Sequence, residues 1–363
     1  CIYGNDINGF NYKKNIKLDA GNSGTFARLI LGLLVKSPYY IKLIGDESLS
    51  QRDFERVISP LQKVGASFKV NDKKTLPLQI KGSNFINPIK YVENRGSAQC
   101  KSTMMLAALN SPGKSFIKAK KSRDHTENIF KYLGLPIVVK KKKSIDEIQI
   151  KGQKQFRSFN YVVPSDPSSC AFFIVLTLLS KNSRLRLKNV NINPSRIGFI
   201  KILNKMGAKI KIKNIKKRYG ESHADIFVKS QSSLKKIHCP SKLNSSLIDE
   251  FLIIFLVAAR SKGISSFSSL EELNKKESPR LKLGSQLLRK LGIKTKLTKS
   301  SIKIFGNPYI NLKKKIIIKR YQKDHRIFMT SVIAACAFGG NWKIDDADSF
   351  KSSFPSFLKI LKK

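Results

Sequence analysis

The sequence predicts an α/β protein of two domains, built from copies of one unit: strand, buried helix, strand, amphipathic helix, strands. Three observations carry this expectation. The chain has 363 residues, long for one domain and comfortable for two. Five segments share a small or polar start followed by a nearly continuous apolar run. After each of them comes a segment that opens near an Arg or Ser, runs as one amphipathic helix and usually stops at Gly before a strand.

The first kind of segment occupies 21–35 (GNSGTFARLILGLLV), 96–110, 165–180, 246–260 and 324–339. A helix that is apolar on nearly all sides is expected to be buried on nearly all sides. The second kind occupies 50–70, 122–139, 195–212, 278–297 and 352–363. Gly65, Gly134, Gly207 and Gly292 stand where left-handed C-terminal caps belong. The arginines that open the first four copies, Arg52, Arg123, Arg196 and Arg280, are 71, 73 and 84 residues apart. A period of about 75 residues is too long for a solenoid repeat. Six copies would divide into two domains of three, each with three buried helices at its centre and with sheets and outer helices around them. Five copies, and a chain that begins at Cys1 in a strand-like CIYG, give the expectation of an N-terminal domain over 1–163 whose first folding unit is missing. The C-terminal domain is expected over 164–363.

Apolar residues make up 41% of the chain, enough for a real core. The longest unbroken apolar run, Phe251 to Ala259, is about half of the roughly 20 residues a membrane span needs. The formal charge is +46, which raises the question of nucleic acid. Only 15 of the 70 basic residues are Arg, and the densest lysine runs, at 140–143 and 313–315, flank strand-like segments away from aromatic residues. The expectation is therefore affinity for small anions, with neither nucleic acid nor membrane as partner. Of five cysteines, Cys100, Cys170 and Cys336 lie in apolar helical runs as small hydrophobes, and the four histidines lack metal-ligand spacing. A reduced, cytoplasmic protein without metal follows as the expectation.

The helix starts carry the chemistry. Ser, Thr and Asp there are ordinary caps, but a cation opposes the positive end of the helix dipole. Arg28, Arg52, Arg123, Arg196, Arg280 and Arg326 all fall near expected helix starts. Helix ends converging on an anionic ligand would explain them. Two acids fall in the same places: Asp249 before FLIIFLVAA, and Glu277 three residues before Arg280. Each can be read as an ordinary N-terminal acid. Among cations, each can also stay ionised and relay a proton.

Ten motifs then stand in order along the chain: GNSGTFAR, GDESLSQR, GSAQCKS, SRDHTE, VPSDPSS, NPSR, LIDEF, LEELNKKESPRL, DHRIFM and SFPSF. In order and approximate spacing they resemble the 5-enolpyruvylshikimate-3-phosphate (EPSP) synthase family, and SAQCKS, SRDHTE and IDEF resemble its class II branch. The resemblance implies a two-domain inside-out α/β barrel of βαβαββ units, five of six present here, closing on its substrates. It implies transfer of the enolpyruvyl group of phosphoenolpyruvate to shikimate 3-phosphate, without a cofactor, by a monomer. Carried over position by position, Asp249 would accept the 5-hydroxyl proton and Glu277 would handle the methylene proton. Gly24, Arg52, Gln99, Arg280 and Arg326 would bind phosphoenolpyruvate. Ser97, Ala98, Gln99, Arg123, Asp249 and Lys276 would hold shikimate 3-phosphate. The family's Lys-Ser-x-Ser-x-Arg motif does not precede GNSGTFAR, so the chain alone is expected to be inactive.

Three positions bear on the pattern. Asp53 follows Arg52 where the family usually has Pro, and Pro279 replaces the usual Asp between Glu277 and Arg280. Gly24 stands where glyphosate-tolerant class II enzymes often place Ala, which implies a glyphosate-sensitive enzyme. Two alternatives stand beside this reading. The sister transferase acting on UDP-N-acetylglucosamine carries a loop Cys where this chain has Glu47. A basic RNA-associated protein without enzymatic activity is the other.

Overall fold

The computed structural model describes residues 10–152, 155 and 158–362, so the CIYG segment lies outside the described residues. The chain forms two compact units, 1–161 and 162–363. Each has its own apolar core.

The first unit contains the repeat twice. The first copy runs β1 (Lys17–Asp19), α1 (Gly24–Leu33), β2 (Ile41–Ile44), a single turn α2 (Glu47–Ser50), α3 (Glu55–Gln62), β3 (Ser67–Val70) and β4 (Leu78–Lys81). The second runs β5 (Lys90–Glu93), α4 (Ala98–Ala108), β6 (Lys114–Lys120), α5 (His125–Tyr132), β7 (Ile137–Lys141) and β8 (Ile145–Lys151). Both sheets have the same plan. The two strands flanking the apolar helix pair in parallel, β1 with β2 and β5 with β6. The last strand then joins antiparallel, giving the orders β1-β2-β4-β3 and β5-β6-β8-β7.

The second unit contains three copies. In α6 (Pro167–Leu179), β9 (Arg184–Asn191), α7 (Gly198–Lys205), β10 (Lys211–Arg218) and β11 (Glu221–Lys229), the first strand has shrunk to a parallel bridge between Ser165 and Val190. The next copy, α8 (Phe251–Arg260), β12 (Gly263–Phe267), α9 (Arg280–Lys290), β13 (Thr295–Leu297) and β14 (Ile302–Gly306), keeps two such bridges. The last is β15 (Leu312–Ile318), α10 (His325–Phe338), β16 (Gly339–Ile344) and α11 (Phe357–Leu361). Within each unit the apolar helices lie inside and the sheets outside, an inside-out α/β arrangement.

All ten expected helices are present. Gly134 and Gly292, at φ +67° and +80°, end α5 and α9 in the left-handed region that costs Gly least. One device recurs at the last strand. Gly82, Gly152 and Gly306 each lie where a Cβ would come within 2.2, 2.2 and 2.0 Å of a carbonyl oxygen just past the end of the preceding apolar helix, those of Val35, Ser111 and Ser261. The identical QIKG sequences at 79–82 and 149–152 mark the first two of these junctions.

Two expectations about burial need correction. α8 is buried along its whole length up to Ala259, but α1 exposes Phe26 by 41% and leaves Leu29 and Ile30 half-covered. The reason is the number of helical neighbours. In the second unit α6, α8 and α10 pack on one another, whereas α1 packs chiefly on α4. That contact is close, because a Cβ on Gly32 would stand 2.3 Å from the Thr103 carbonyl oxygen. Cys336, expected to be a core residue, is exposed on α10, while Cys100, Cys170 and Cys239 are buried.

Candidate active site

In the first unit the candidate residues gather around the starts of α1 and α4. Ser23 caps α1 by accepting from the Phe26 N–H, and Ser97 caps α4 by accepting from the Cys100 N–H at 3.2 Å. The loop before α4 is held by buried Glu93, whose carboxylate accepts from the N–H groups of Arg95, Gly96 and Ser97 at 3.1, 2.6 and 3.0 Å. Ser97, Ala98 and Gln99 are thus fixed at one helix N-terminus, where backbone N–H groups and the helix dipole favour an anion.

Gln99 joins the two helices. Its Nε2 donates to Thr25 Oγ1 at 2.8 Å, and its Oε1 accepts from Arg28 Nη1 at 2.9 Å. Arg28 also donates to the Asp53 carbonyl at 3.2 Å and lies over the Phe54 ring at 5.0 Å. Burial pulls the Arg28 guanidinium below its ordinary value, and Arg52 and Arg56 add to the effect. Gly24 faces this group directly. A Cβ there would come within 2.9 Å of Arg52 Nη1 and 3.1 Å of Arg28 Nη1. Arg52 lies in the turn between α2 and α3 rather than in a first helical turn. Asp53, the departure from the family's Pro, caps that turn by accepting from the Glu55 N–H at 2.7 Å. Arg123 stands two residues before α5, and its carbonyl accepts from Lys101 Nζ at 2.9 Å.

In the second unit, Arg280 is the centre. It opens α9, is 1% exposed, and contacts three carboxylates. Its Nε donates to Asp324 Oδ2 at 2.9 Å, its Nη1 reaches Asp249 Oδ1 at 3.4 Å, and its Nη2 pairs with Glu277. Lys276 Nζ lies 3.3 Å from the same Asp249 oxygen, and Arg326 Nη1 donates to the Asp249 carbonyl at 2.9 Å. Five of the expected site residues, Asp249, Lys276, Glu277, Arg280 and Arg326, therefore form one cluster.

The three carboxylates differ in exposure. The Asp324 side chain is fully enclosed, that of Asp249 is 12% exposed and that of Glu277 is 19% exposed. Asp324 also caps α10 by accepting from the Arg326 and Ile327 N–H groups, and it accepts from Ser278 Oγ at 2.7 Å. Burial works against its charge, but Arg280 outweighs burial and holds the carboxyl below the usual range. His325 beside it is pushed down to about 4, by burial first and by the Arg326 charge second. Pro279 occupies the N-cap of α9, so the backbone accommodates it there.

Sequence reasoning placed the arginines but did not foresee Asp324 as the main partner of Arg280. It counted Arg196 among the arginines awaiting an anionic ligand, but did not foresee the neighbouring network in which Arg196 donates to Asp166 at 2.6 Å and to Ser168 at 3.0 Å, with Ser168 donating to Glu250 at 2.5 Å. These partners are 28 to 82 residues apart in sequence, and no local pattern announces them. Among the described residues no group of His, Cys, Asp and Glu is arranged to hold a metal ion, and no helix is long and apolar enough to cross a membrane.

The family described as EPSP synthase (3-phosphoshikimate 1-carboxyvinyltransferase) matches residues 1–361. A 3-phosphoshikimate 1-carboxyvinyltransferase from Ruthia magnifica subsp. Calyptogena magnifica is 42% identical over 360 residues, covering 99% of this chain and 80% of that protein. One from Caldicellulosiruptor bescii is 38% identical over 95% of this chain and 79% of its own length. Among solved structures, an EPSP synthase from Acinetobacter baumannii superposes with a TM-score of 0.82 at 33% identity, over 96% of this chain and 78% of that one. The enolpyruvyl transferase NikO from Streptomyces tendae, at 13% identity and a TM-score of 0.71 over 92% of this chain and 74% of that one, shares the fold.

Proposed function

The chain belongs to the EPSP synthase family, and on that premise we propose that it transfers the enolpyruvyl group of phosphoenolpyruvate to the 5-hydroxyl of shikimate 3-phosphate, releasing phosphate. In the addition step the 5-hydroxyl oxygen bonds to C2 of phosphoenolpyruvate, its proton goes to a base, and the methylene carbon gains a proton to become a methyl group. In the elimination step the bond from C2 to the phosphate oxygen breaks and the methyl group returns a proton, leaving the enol ether.

The observation that best supports this reading is the graded set of carboxylates on Arg280. Asp324, wholly enclosed, fixes the guanidinium. Asp249, partly open, with Lys276 beside its carboxylate and Arg326 on its backbone carbonyl, is the base for the hydroxyl proton. Glu277 is the most exposed of the three, so it is the group that an incoming carboxylate or phosphate displaces from Arg280, and the one placed to trade the methylene proton. Arg52, Arg280 and Arg326, with Gly24 and Gln99, bind phosphoenolpyruvate. Ser97, Ala98, Gln99, Arg123 and Lys276 hold the shikimate 3-phosphate. Two anions brought together need several cations, and a two-substrate addition gains most from such positioning.

The test is phosphate release by the protein, in the longest form its gene encodes, with both substrates and with each omitted in turn. Release requires both substrates. Asp249→Asn and Glu277→Gln each lower turnover by about 100-fold or more. Release that persists without shikimate 3-phosphate, or that requires UDP-N-acetylglucosamine instead, overturns the reading.

A further inference from the structure

Among the described residues of the first unit, Lys101 is the most deeply enclosed lysine side chain, 1% exposed on the second turn of α4. It uses its ammonium twice. Nζ lies 2.6 Å from a carboxylate oxygen of Glu127 on α5, and it donates to the backbone carbonyl of Arg123 at 2.9 Å. The next residue makes a second tie, because Ser102 Oγ hydrogen-bonds Thr126 Oγ1 at 2.7 Å. The short link from β6 to α5 and the first turn of α5 are thereby anchored to α4 by two adjacent residues.

An enclosed ammonium and carboxylate incur a desolvation cost that a well-packed apolar pair of the same size does not, so such a pair is weak evidence of stabilisation and invites a reading in terms of position. Glu127 bears the cost: burial raises its carboxyl above the usual range, and the Lys101 charge only partly offsets that. What the pair secures is the carbonyl of Arg123. Lys101 is one helical turn below Ser97, so the link is fixed beside the α4 N-terminus that presents Ser97, Ala98 and Gln99.

We propose that Lys101 is a positioning residue for the substrate's phosphate: through the Arg123 carbonyl it sets the place from which the Arg123 guanidinium and the start of α4 together receive that group. Glu127 is its counter-charge. The inference rests on the reading of Arg123 and Ser97 as shikimate 3-phosphate ligands.

The experiment is calorimetric titration of the protein, in the longest form its gene encodes, with shikimate 3-phosphate, alongside thermal melts. Arg123→Met is the reference and is expected to weaken binding by at least tenfold. Lys101→Met is expected to weaken it by a comparable factor. Lys101→Met combined with Arg123→Met weakens it no further than Arg123→Met alone, because the lysine acts through the arginine. Lys101→Met with Glu127→Met removes both buried charges. This variant is expected to melt near the wild type and still bind weakly, so it carries the test if the single variant does not fold. Affinity restored together with stability in that double variant, or losses that add for Lys101 and Arg123, overturns the inference while leaving the functional reading intact. A wild-type protein that does not bind, or an Arg123→Met variant that binds normally, removes the functional reading itself and this inference with it.

Discussion

Two arginines, one in each unit, are held in opposite ways. Arg28 in the first unit is fixed by neutral acceptors: the amide oxygen of Gln99 and the carbonyls of Gly24 and Asp53. Arg280 in the second is fixed by three carboxylates. The difference is one of charge balance. Arg28 keeps its charge uncompensated beside Gly24 and Arg52, whereas the charge of Arg280 is balanced by acids. On the function proposed above, an anion can meet Arg28 without displacing anything, but it reaches Arg280 only by displacing Glu277.

The comparison is broken most severely at Asp324. Asp324→Ala takes from Arg280 the only partner of its three that is wholly enclosed, and it takes the cap from α10. Removing one partner of a buried ion pair costs about 3–5 kcal/mol, and a lost N-cap about 1 kcal/mol more. Asp249 and Glu277 remain and soften the first figure, so the expected loss is about 4 kcal/mol in urea unfolding. A loss under about 1 kcal/mol would show that the enclosed carboxylate is not what fixes Arg280.

The second effect is a pH dependence. His325 titrates at about 4 in the folded protein and near 6.5 when unfolded. The unfolded chain therefore takes up the proton first. The stabilisation is complete above pH 6.5 and is lost as pH falls towards 4, by about 3 kcal/mol across that window. Asp324 and Asp166, both held below the usual carboxylate range, lose their contribution only in stronger acid. His223, also lowered by burial, contributes with the same sign, and Glu127, raised by burial, with the opposite one. Unfolding midpoints at pH 7 and pH 4.5 measure the sum. The His325→Gln variant isolates its share, and an unchanged slope in that variant would refute the assignment.

Most of the architecture was legible in the sequence because burial writes itself into composition. The run FLIIFLVAA has no polar face, and α8 has none. The run at 21–35 looks the same on paper, yet α1 exposes Phe26, because a helix's burial depends on how many neighbours cover it and composition does not count neighbours. The site was legible to a similar extent. Arginines near helix starts are conspicuous because they oppose the dipole. Glu277 was visible because it lies three residues from Arg280. Asp249 and Asp324, at 31 and 44 residues from Arg280, could be paired with it only by the fold. Lys101 stands in the SAQCKS motif at the start of an expected buried helix, but nothing in the sequence announced its partners, since Glu127 and Arg123 lie 26 and 22 residues away and only the fold brings them to it.

The neutral side of the comparison is sharpened at Gln99. Gln99→Ala removes the link from α4 to Thr25 and leaves Arg28 with two carbonyls. A single neutral hydrogen bond contributes about 1 kcal/mol, and one to a charged group somewhat more. The expected loss of stability is therefore about 1–2 kcal/mol, less than half that of Asp324→Ala, by the same urea measurement. Equal losses at the two sites would erase the distinction between them.

Gly24→Ala should move stability least and function most clearly. Ala is favoured over Gly in a helix by about 1 kcal/mol, which works for the variant. Against it, the new methyl would stand 2.9 Å from Arg52 Nη1 and 3.1 Å from Arg28 Nη1. Both are ends of flexible side chains and can retreat by a few tenths of an ångström, so folding stability is expected to change by less than about 1 kcal/mol. A retreating guanidinium, however, no longer meets a bound anion at hydrogen-bond distance. The expected outcome is weaker binding of phosphoenolpyruvate and of glyphosate, by about tenfold or about 1.4 kcal/mol, read by titration with each. Arg28→Met in the Gly24→Ala background separates the two guanidiniums. If the methyl acts through Arg28, the second substitution adds nothing. If it acts through Arg52, the losses accumulate, and Arg52 becomes the arginine whose place is set by the absence of a side chain at residue 24.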